Sequence, residues 1–304
     1  MAIPFYISSS PPPNAVMPRS SHLLIIDPQN DFCDLPQAYL PTDPLTGDRH
    51  APALPVAGAH DDMQRLARFI DATASALTSI TVTLDSHHRL DIAHPTFWSD
   101  GEGQAVAPFT QITAAQVRGG RFRPRHADDL PRTLTYLDEL EARGRYTLMV
   151  WPVHCEIGTW GHNVHADVRA AYSRWEDDRQ FIVRKVPKGT NPWTEHYSAL
   201  MAEVPDADDP RSQLNRGLLD ALDRAELILI AGEAGSHCVK ATVEHMAEHL
   251  PGRDLSRLVL LTDCMTPVAG FGEAQTAFQQ RMRDLGVQQR TSVDMARALL
   301  APDR

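Results

Sequence analysis

Unbroken runs of apolar residues, each about as long as a strand, recur along the chain and are separated by stretches with helical spacing. Runs of leucine, isoleucine and valine without polar alternation indicate strands buried on both faces, as in a parallel sheet. The predicted strands cover residues 22–26, 79–84, 146–150, 181–183, 226–231 and 258–262. The predicted helices cover residues 61–78, 131–143, 162–177, 213–224, 237–249 and 273–285. This alternation predicts an α/β fold, a three-layer αβα sandwich around a mostly parallel sheet of about six strands.

Two regions interrupt the alternation. Residues 34–59 are rich in proline, and residues 99–130 carry glycine, proline and arginine without clear periodicity. Loops of this length inside a compact domain are usually functional lids or disordered segments. We therefore expect one domain over residues 1–304 with insertions near 34–59 and 99–145. The proline-rich residues 1–20 are expected to form an extended arm lying over the body or over a neighbouring subunit.

Composition narrows the class of protein. The 304 residues contain 29 Lys and Arg against 39 Asp and Glu, giving a net charge of -10, which disfavours binding to nucleic acid or to a membrane surface. No apolar run approaches the length of about 18 residues that a membrane span needs, and the N-terminus lacks the charged region of a signal peptide. Four cysteines are too few for a disulfide scaffold. We expect a cytoplasmic protein that forms a homo-oligomer through its arm and insertion.

The longer insertion also carries a basic run. Arg118, Arg121, Arg123 and Arg125 surround Phe122, a composition also found in RNA-binding segments. On an acidic protein we interpret this run as a solvated lid or a subunit contact.

Polar side chains follow five of the predicted strands. In open α/β sheets, ligands bind at the carboxyl ends of the strands. The residues that these strand ends bring to one rim are Asp27, Asp85, His87, His154, Lys188 and Cys238. Their convergence predicts a functional site.

Cys238 has the surroundings of a nucleophile. It follows the turn GEAGSH and begins a predicted helix, where the helix dipole and free N–H groups lower a thiol pKa and can stabilise an oxyanion. Lys188 can add positive charge, and Asp27 can accept the thiol proton. The alternative is that Cys238 is a small buried hydrophobic residue.

A second group of polar residues has the composition of a metal site. Asp85, His87, His94 and His154 together resemble a set of three or four mixed nitrogen and oxygen ligands with positions left for water or substrate. Such a set suits one divalent Zn, Fe or Mn ion. The alternative is that these histidines are merely exposed in loops.

Several motifs resemble those of nicotinamidases, which belong to the isochorismatase-like cysteine hydrolases. DPQNDFC, LDSHH with AHPTF, WPVHC, KGTNPWTEHYSA and GEAGSHCVKAT occur in the order seen in that family. The matching segments lie near residues 22–32, 79–98, 147–200 and 226–270. The sequence is therefore similar to nicotinamidases over every predicted strand end.

The resemblance implies a catalytic triad of Asp27, Lys188 and Cys238. It also implies a cis peptide bond between Glu233 and Ala234, with an oxyanion hole formed by the backbone N–H groups of Ala234 and Cys238. The remaining residues to which it gives a role are the metal ligands Asp85, His87 and His154, the further ligand His94, and the residues flanking a flat substrate ring, Phe32, Trp151 and Tyr197.

The implied activity is hydrolysis of nicotinamide, or a related small heteroaromatic carboxamide, to the acid and ammonia through a thioester. In nicotinamidases the metal binds the pyridine nitrogen and orients the ring. Because the insertion at 99–145 lies between metal and pocket motifs, hydrolysis of another small amide, ureido or carbamoyl compound is the alternative within the superfamily. The non-enzymatic alternative is a scaffold or RNA-associated protein that uses the arginine-rich loop.

Overall fold

Six parallel strands form the central sheet of the computed structural model, which describes residues 20–301. The strands, in chain order, are β1 (Ser21–Ile26), β2 (Ser79–Asp85), β3 (Trp98–Asp100), β4 (Thr110–Ile112), β5 (Phe122–Pro124), β6 (Leu148–Val150), β7 (Arg184–Lys188), β8 (Leu227–Gly232), β9 (Leu258–Leu261) and β10 (Gln288–Arg290). The order in the central sheet is β10-β9-β8-β1-β2-β7, and every pair in it is parallel.

Eight α-helices lie within residues 20–301. They are α1 (Ala59–Thr73), α2 (Ala114–Arg118), α3 (Leu130–Arg143), α4 (Ala166–Arg179), α5 (Arg216–Asp223), α6 (Cys238–His249), α7 (Gly272–Asp284) and α8 (Ser292–Leu300). Helix α1 packs against α4 and α8, and every residue of β1 and β9 is buried. Burial on both faces requires a helical layer on each side of the sheet. The predicted α/β sandwich is confirmed.

Two of the predicted strands lie elsewhere. The strand at 146–150 was predicted to belong to the parallel sheet. That placement was wrong, because β6 pairs antiparallel with β4 outside the central sheet. The prediction at 181–183 was wrong in position, since Phe181 and Ile182 are 56% and 88% exposed and the strand is β7. The sixth strand of the sheet, β10, consists of Gln288, Gln289 and Arg290, and it lies at an edge where burial demands few apolar residues.

The insertion near 99–145 is folded, contrary to its aperiodic sequence. Strand β3 pairs with β5, and these short strands surround a hydrophobic cluster separate from the main core. Its aromatic members are Trp98, Phe97, Phe122 and Tyr136, and Leu137 and Ile112 are among its aliphatic ones. Two arginines of the basic run make contacts within the insertion. Arg118 forms an ion pair with Asp138, and Arg123 donates a hydrogen bond to the Gly101 carbonyl.

The single-domain organisation and the homo-oligomer stay predictions. The predicted arm lies outside the described residues except for its last residue. No helix within residues 20–301 combines the length and the apolar character needed to cross a membrane.

Strand β1 occupies the switch point of the sheet. On one side it pairs with β2, which follows it in the chain, and on the other side with β8, which lies some 200 residues later. Chains leaving β1 and β8 therefore diverge and open a crevice at their carboxyl ends, where ligands bind in open α/β sheets.

Candidate active site

The turn between β8 and α6 presents Cys238 at this crevice. Gly232 has a φ of +121°, and a Cβ on it would lie 1.9 Å from the carbonyl oxygen of Ile26, so no other residue fits there. The following peptide bond, between Glu233 and Ala234, is cis. Helix α6 begins at Cys238, whose N–H group has no acceptor within the helix.

Lys188 connects three functional groups at the carboxyl ends of neighbouring strands. Its Nζ lies 3.0 Å from Asp27 Oδ2, 2.9 Å from Asp85 Oδ1 and 3.7 Å from Cys238 Sγ. It also donates a hydrogen bond of 2.9 Å to the carbonyl oxygen of His196. All of these residues are buried. The structure thus brings the predicted triad together and links it directly to the predicted metal site.

Asp27 is fixed by the neighbouring strand. It has a φ of +41°, a left-handed conformation that is rare for a non-glycine residue. Thr83 Oγ1 accepts a hydrogen bond from the Asp27 backbone N–H at 3.0 Å and donates one to Asp27 Oδ1 at 2.5 Å. Within residues 20–301 no donor makes a well-directed hydrogen bond to Asp27 Oδ2, so this oxygen is free to accept a proton.

Burial sets the protonation of the triad. It raises the pKa of the Cys238 thiol well above the usual range, although the charge of Lys188 opposes the shift. The expectation of a lowered thiol pKa was therefore wrong for the chain without a ligand, because desolvation outweighs the helix N-terminus. Burial likewise raises the pKa of Asp27, against the effect of Lys188. The pKa of Lys188 is raised despite its burial, because Asp27 and Asp85 favour the charged amine.

The predicted metal ligands lie beside this triad. His87 Nε2 and His154 Nε2 are 3.1 Å and 3.4 Å from Asp85 Oδ2, and His94 Nε2 is 3.2 Å from His154 Nδ1. The three histidines each offer a ligand atom within 4.8 Å of the others. Ligands about 2.1 Å from one ion lie about 3.0 to 3.4 Å apart at octahedral to tetrahedral angles, and the distances from His87 Nε2 and His154 Nε2 to Asp85 Oδ2 match this spacing. Together with the grouping of the three histidines, they make this donor set fit one divalent cation.

Neighbouring groups set the orientation of His87 and the protonation of His94. Asp91 Oδ2 lies 3.0 Å from His87 Nδ1, which leaves Nε2 directed at Asp85. Such a carboxylate partner is typical of a ligating histidine. Burial, with the charges of His154 and His87, lowers the pKa of His94 to about 3, so that His94 is in the neutral form that binds metals.

A narrow cavity joins Cys238 to two of the predicted metal ligands, Asp85 and His154. Its empty space, including the part that is open to solvent, is about 330 Å³. Its lining residues are Phe32, Leu54, Asp85, Trp151, His154, Glu195, Tyr197, Ala234, His237, Cys238 and Val268. Trp151 Nε1 donates a hydrogen bond of 3.1 Å to the Tyr197 hydroxyl, which fixes both aromatic rings of the wall. Within residues 20–301, no lysine or arginine lines this cavity.

Four residues that line the cavity were not predicted as site residues from the sequence. Leu54 belongs to the first insertion, and Val268 follows β9, so neither carries a chemical signal. His237 directly precedes Cys238, and Glu195 lies within KGTNPWTEHYSA, so both were detectable as polar residues inside the recognised motifs.

Solved structures share this fold. The chain is similar to a nicotinamidase/pyrazinamidase from Acinetobacter baumanii, with a TM-score of 0.58 and 18% identity over 91% of this chain and 99% of that one. It is also similar to the yeast nicotinamidase Pnc1p bound to the inhibitor nicotinaldehyde, with a TM-score of 0.58 and 18% identity over 89% and 99% of the two chains. PnC1 from L. infantum in complex with nicotinate gives a TM-score of 0.52 and 19% identity over 91% and 96%.

An isochorismatase-like hydrolase from Alkaliphilus metalliredigens is more distant, with a TM-score of 0.50 and 12% identity over 92% and 98% of the two chains. No family model and no curated protein matches the sequence. The resemblance found in the motifs is thus confirmed at the level of the fold.

Proposed function

We propose that this protein is a metal-dependent cysteine amidohydrolase that converts nicotinamide, or a related small heteroaromatic carboxamide, to the acid and ammonia. The observation that carries the proposal is the buried contact of Asp27, Lys188 and Cys238 at the end of a cavity whose wall includes a predicted metal ligand. The fold shared with nicotinamidases supports it.

In the first step, Cys238 Sγ attacks the amide carbon. The thiol proton passes to Asp27, whose side chain is within hydrogen-bond reach of the thiol and whose raised pKa makes it a stronger base. The new oxyanion is held by the backbone N–H groups of Ala234 and Cys238. Asp27 then returns the proton to the leaving nitrogen, ammonia departs, and a thioester remains on Cys238.

In the second step, water hydrolyses the thioester. Asp27 takes a proton from the water as it attacks, and the acid product leaves with regeneration of the thiol. Lys188 keeps its charge throughout, which holds Asp27 in place and balances the two buried carboxylates around it.

Asp85, His87, His94 and His154 would hold the cation. A bound divalent ion supplies a Lewis-acidic position that accepts a ring nitrogen of the substrate and orients it. The residues of this chain exclude water from the ring through Phe32, Trp151 and Tyr197, which line the cavity.

The cavity favours neutral substrates over the ureido and carbamoyl acids of the alternative function. Its wall contains the acids Asp85 and Glu195 and, among the residues described, no lysine or arginine to pair with a substrate carboxylate. We expect kcat/KM for nicotinamide to exceed that for an N-carbamoyl amino acid by at least about 100-fold, because a buried unpaired carboxylate costs several kcal/mol. Ammonia release from a panel that also contains pyrazinamide and benzamide measures this. Faster turnover of the anionic substrates would favour the alternative and contradict the proposal.

Metal binding can be tested on two neighbouring histidines. Replacing His94 by alanine should weaken Zn²⁺ binding by about tenfold or more, because one ligand of the set is lost. Replacing the exposed His88 is the matched control and should leave the affinity unchanged. Titration against a fluorescent chelator measures both affinities. Equal affinities in the two variants would remove His94 from the ligand set.

A further inference from the structure

A buried acid in the nucleophile turn has no role in the mechanism above. Glu233 is 0% exposed and precedes Ala234, which lines the cavity, whereas Glu233 does not. Its Oε2 accepts a hydrogen bond of 3.2 Å from the backbone N–H of Thr266. Its Oε1 is buried and accepts no hydrogen bond from any donor within residues 20–301. Burying a charged carboxylate oxygen that accepts no hydrogen bond costs free energy, so this burial favours the protonated form of Glu233.

A second buried acid faces Glu233 from helix α1. Asp62 is 2% exposed, and its side chain lies within hydrogen-bond reach of Glu233. The Thr266 hydroxyl donates a hydrogen bond of 2.6 Å to Asp62 Oδ2, while the Thr266 carbonyl accepts one of 2.9 Å from Gly235 N–H. Thr266 therefore forms hydrogen bonds with both acids and with Gly235 in the nucleophile turn.

Two carboxyl groups in buried contact cannot both carry a charge. Arg65 forms an ion pair with Asp62, so the negative charge belongs on Asp62 and the proton on Glu233. The other titratable groups near Glu233 are Asp34 and Cys33, on the loop after β1, and they do not stabilise a charge on it. Burial and the proximity of Asp62 raise the pKa of Glu233 well above its usual range, in agreement with this assignment.

We infer that Glu233 is a positioning residue: it remains protonated and donates its carboxyl hydrogen bond to Asp62, which fixes the turn presenting Ala234 N–H and Cys238 to the substrate. Through Thr266 and Asp62 the turn is anchored to helix α1. The expected effect on kcat rests on the proposed function, whereas the location of the proton on Glu233 does not depend on that function.

The kinetic test compares two replacements of similar volume. In Glu233→Gln the amide N–H can donate to Asp62 and its oxygen can accept from Thr266, whereas Glu233→Leu fills the space without either bond. We expect Glu233→Leu to lower kcat for nicotinamide by about tenfold or more with KM changed by less than about threefold, since donors to an oxyanion act in the transition state. Glu233→Gln should restore most of that loss. Equal kcat in both variants would overturn the inference.

The location of the proton is tested by stability, without any measurement of activity. A carboxyl group whose pKa is higher in the folded chain favours folding at low pH, and this contribution is lost as pH rises from the ordinary value of 4.5 toward the folded value. The wild-type protein should therefore lose stability relative to Glu233→Gln between about pH 5 and about pH 8. Thermal unfolding of both proteins measures the difference. A constant difference across this range would place the proton elsewhere and overturn the inference, even if amide hydrolysis is observed.

Discussion

Replacing Cys238 by alanine should lower the rate of ammonia release from nicotinamide by at least about 10⁴-fold, because the proposed thioester forms on Cys238 Sγ. Cys238 is the cysteine that lies in the cavity and contacts Lys188. The variant should still bind the metal ion, since the predicted ligands belong to other strand ends. Coupled detection of ammonia with purified protein measures the rate.

The matched control is Cys264→Ala. Cys264 is also buried and free, but it lies outside the cavity, so its replacement should leave the rate within a few-fold of the wild-type value. A thioester adduct on Cys238, trapped by acid quench and detected by mass spectrometry, would give direct support. Turnover by Cys238→Ala at a rate near that of the wild-type protein would refute the covalent mechanism.

Replacing Lys188 by methionine should lower the free energy of unfolding by about 3 to 5 kcal/mol, in addition to abolishing activity. The ammonium group contacts both Asp27 and Asp85, and all three side chains are buried. Removal of the cation leaves Asp27 without a counter-charge and takes one of its partners from Asp85, which is more costly than the loss of an exposed ion pair. Chemical denaturation measures the difference.

Lys185 on the same strand is the control for this prediction. Its side chain is 38% exposed and lies 3.7 Å from Glu176, an arrangement for which about 0 to 1 kcal/mol is typical. Lys185→Met should therefore change stability little. A similar small effect of Lys188→Met would show that Asp27 or Asp85 takes up a proton in place of the lost charge.

The interior of the sheet could be predicted from the sequence, whereas its edges could not. Strands β1, β2, β8 and β9 are apolar because helices cover both of their faces, so their composition reveals them. Edge strands need less burial: β7 reads RKVPK and β10 reads QQR, and neither differs from a loop in composition. A strand was wrongly predicted at Phe181 and Ile182 because these residues are apolar, whereas both side chains are exposed in the structure.

The residues brought together at the site were predictable for a related reason. Asp27, Asp85, Lys188 and Cys238 each end or follow a strand of one parallel sheet, so the topology alone places them at one edge. The contact between Glu233 and Asp62 was not predictable, because it joins a turn to a helix at a distance that no sequence spacing sets. Glu195 lies in a long irregular segment, where direction cannot be deduced from periodicity.

The central position of β1 also bears on how the chain folds during synthesis. Among the strands that the structure describes, β1 leaves the ribosome first, but its partner β8 is made some 200 residues later. Until then, the edge of β1 that will pair with β8 has no partner, and its sequence is SHLLII. Unpaired apolar strand edges are prone to aggregate, and distant pairings slow folding. The nascent chain therefore exposes this edge until β8 emerges, and the contact between Asp27 and Cys238 is completed only after that point.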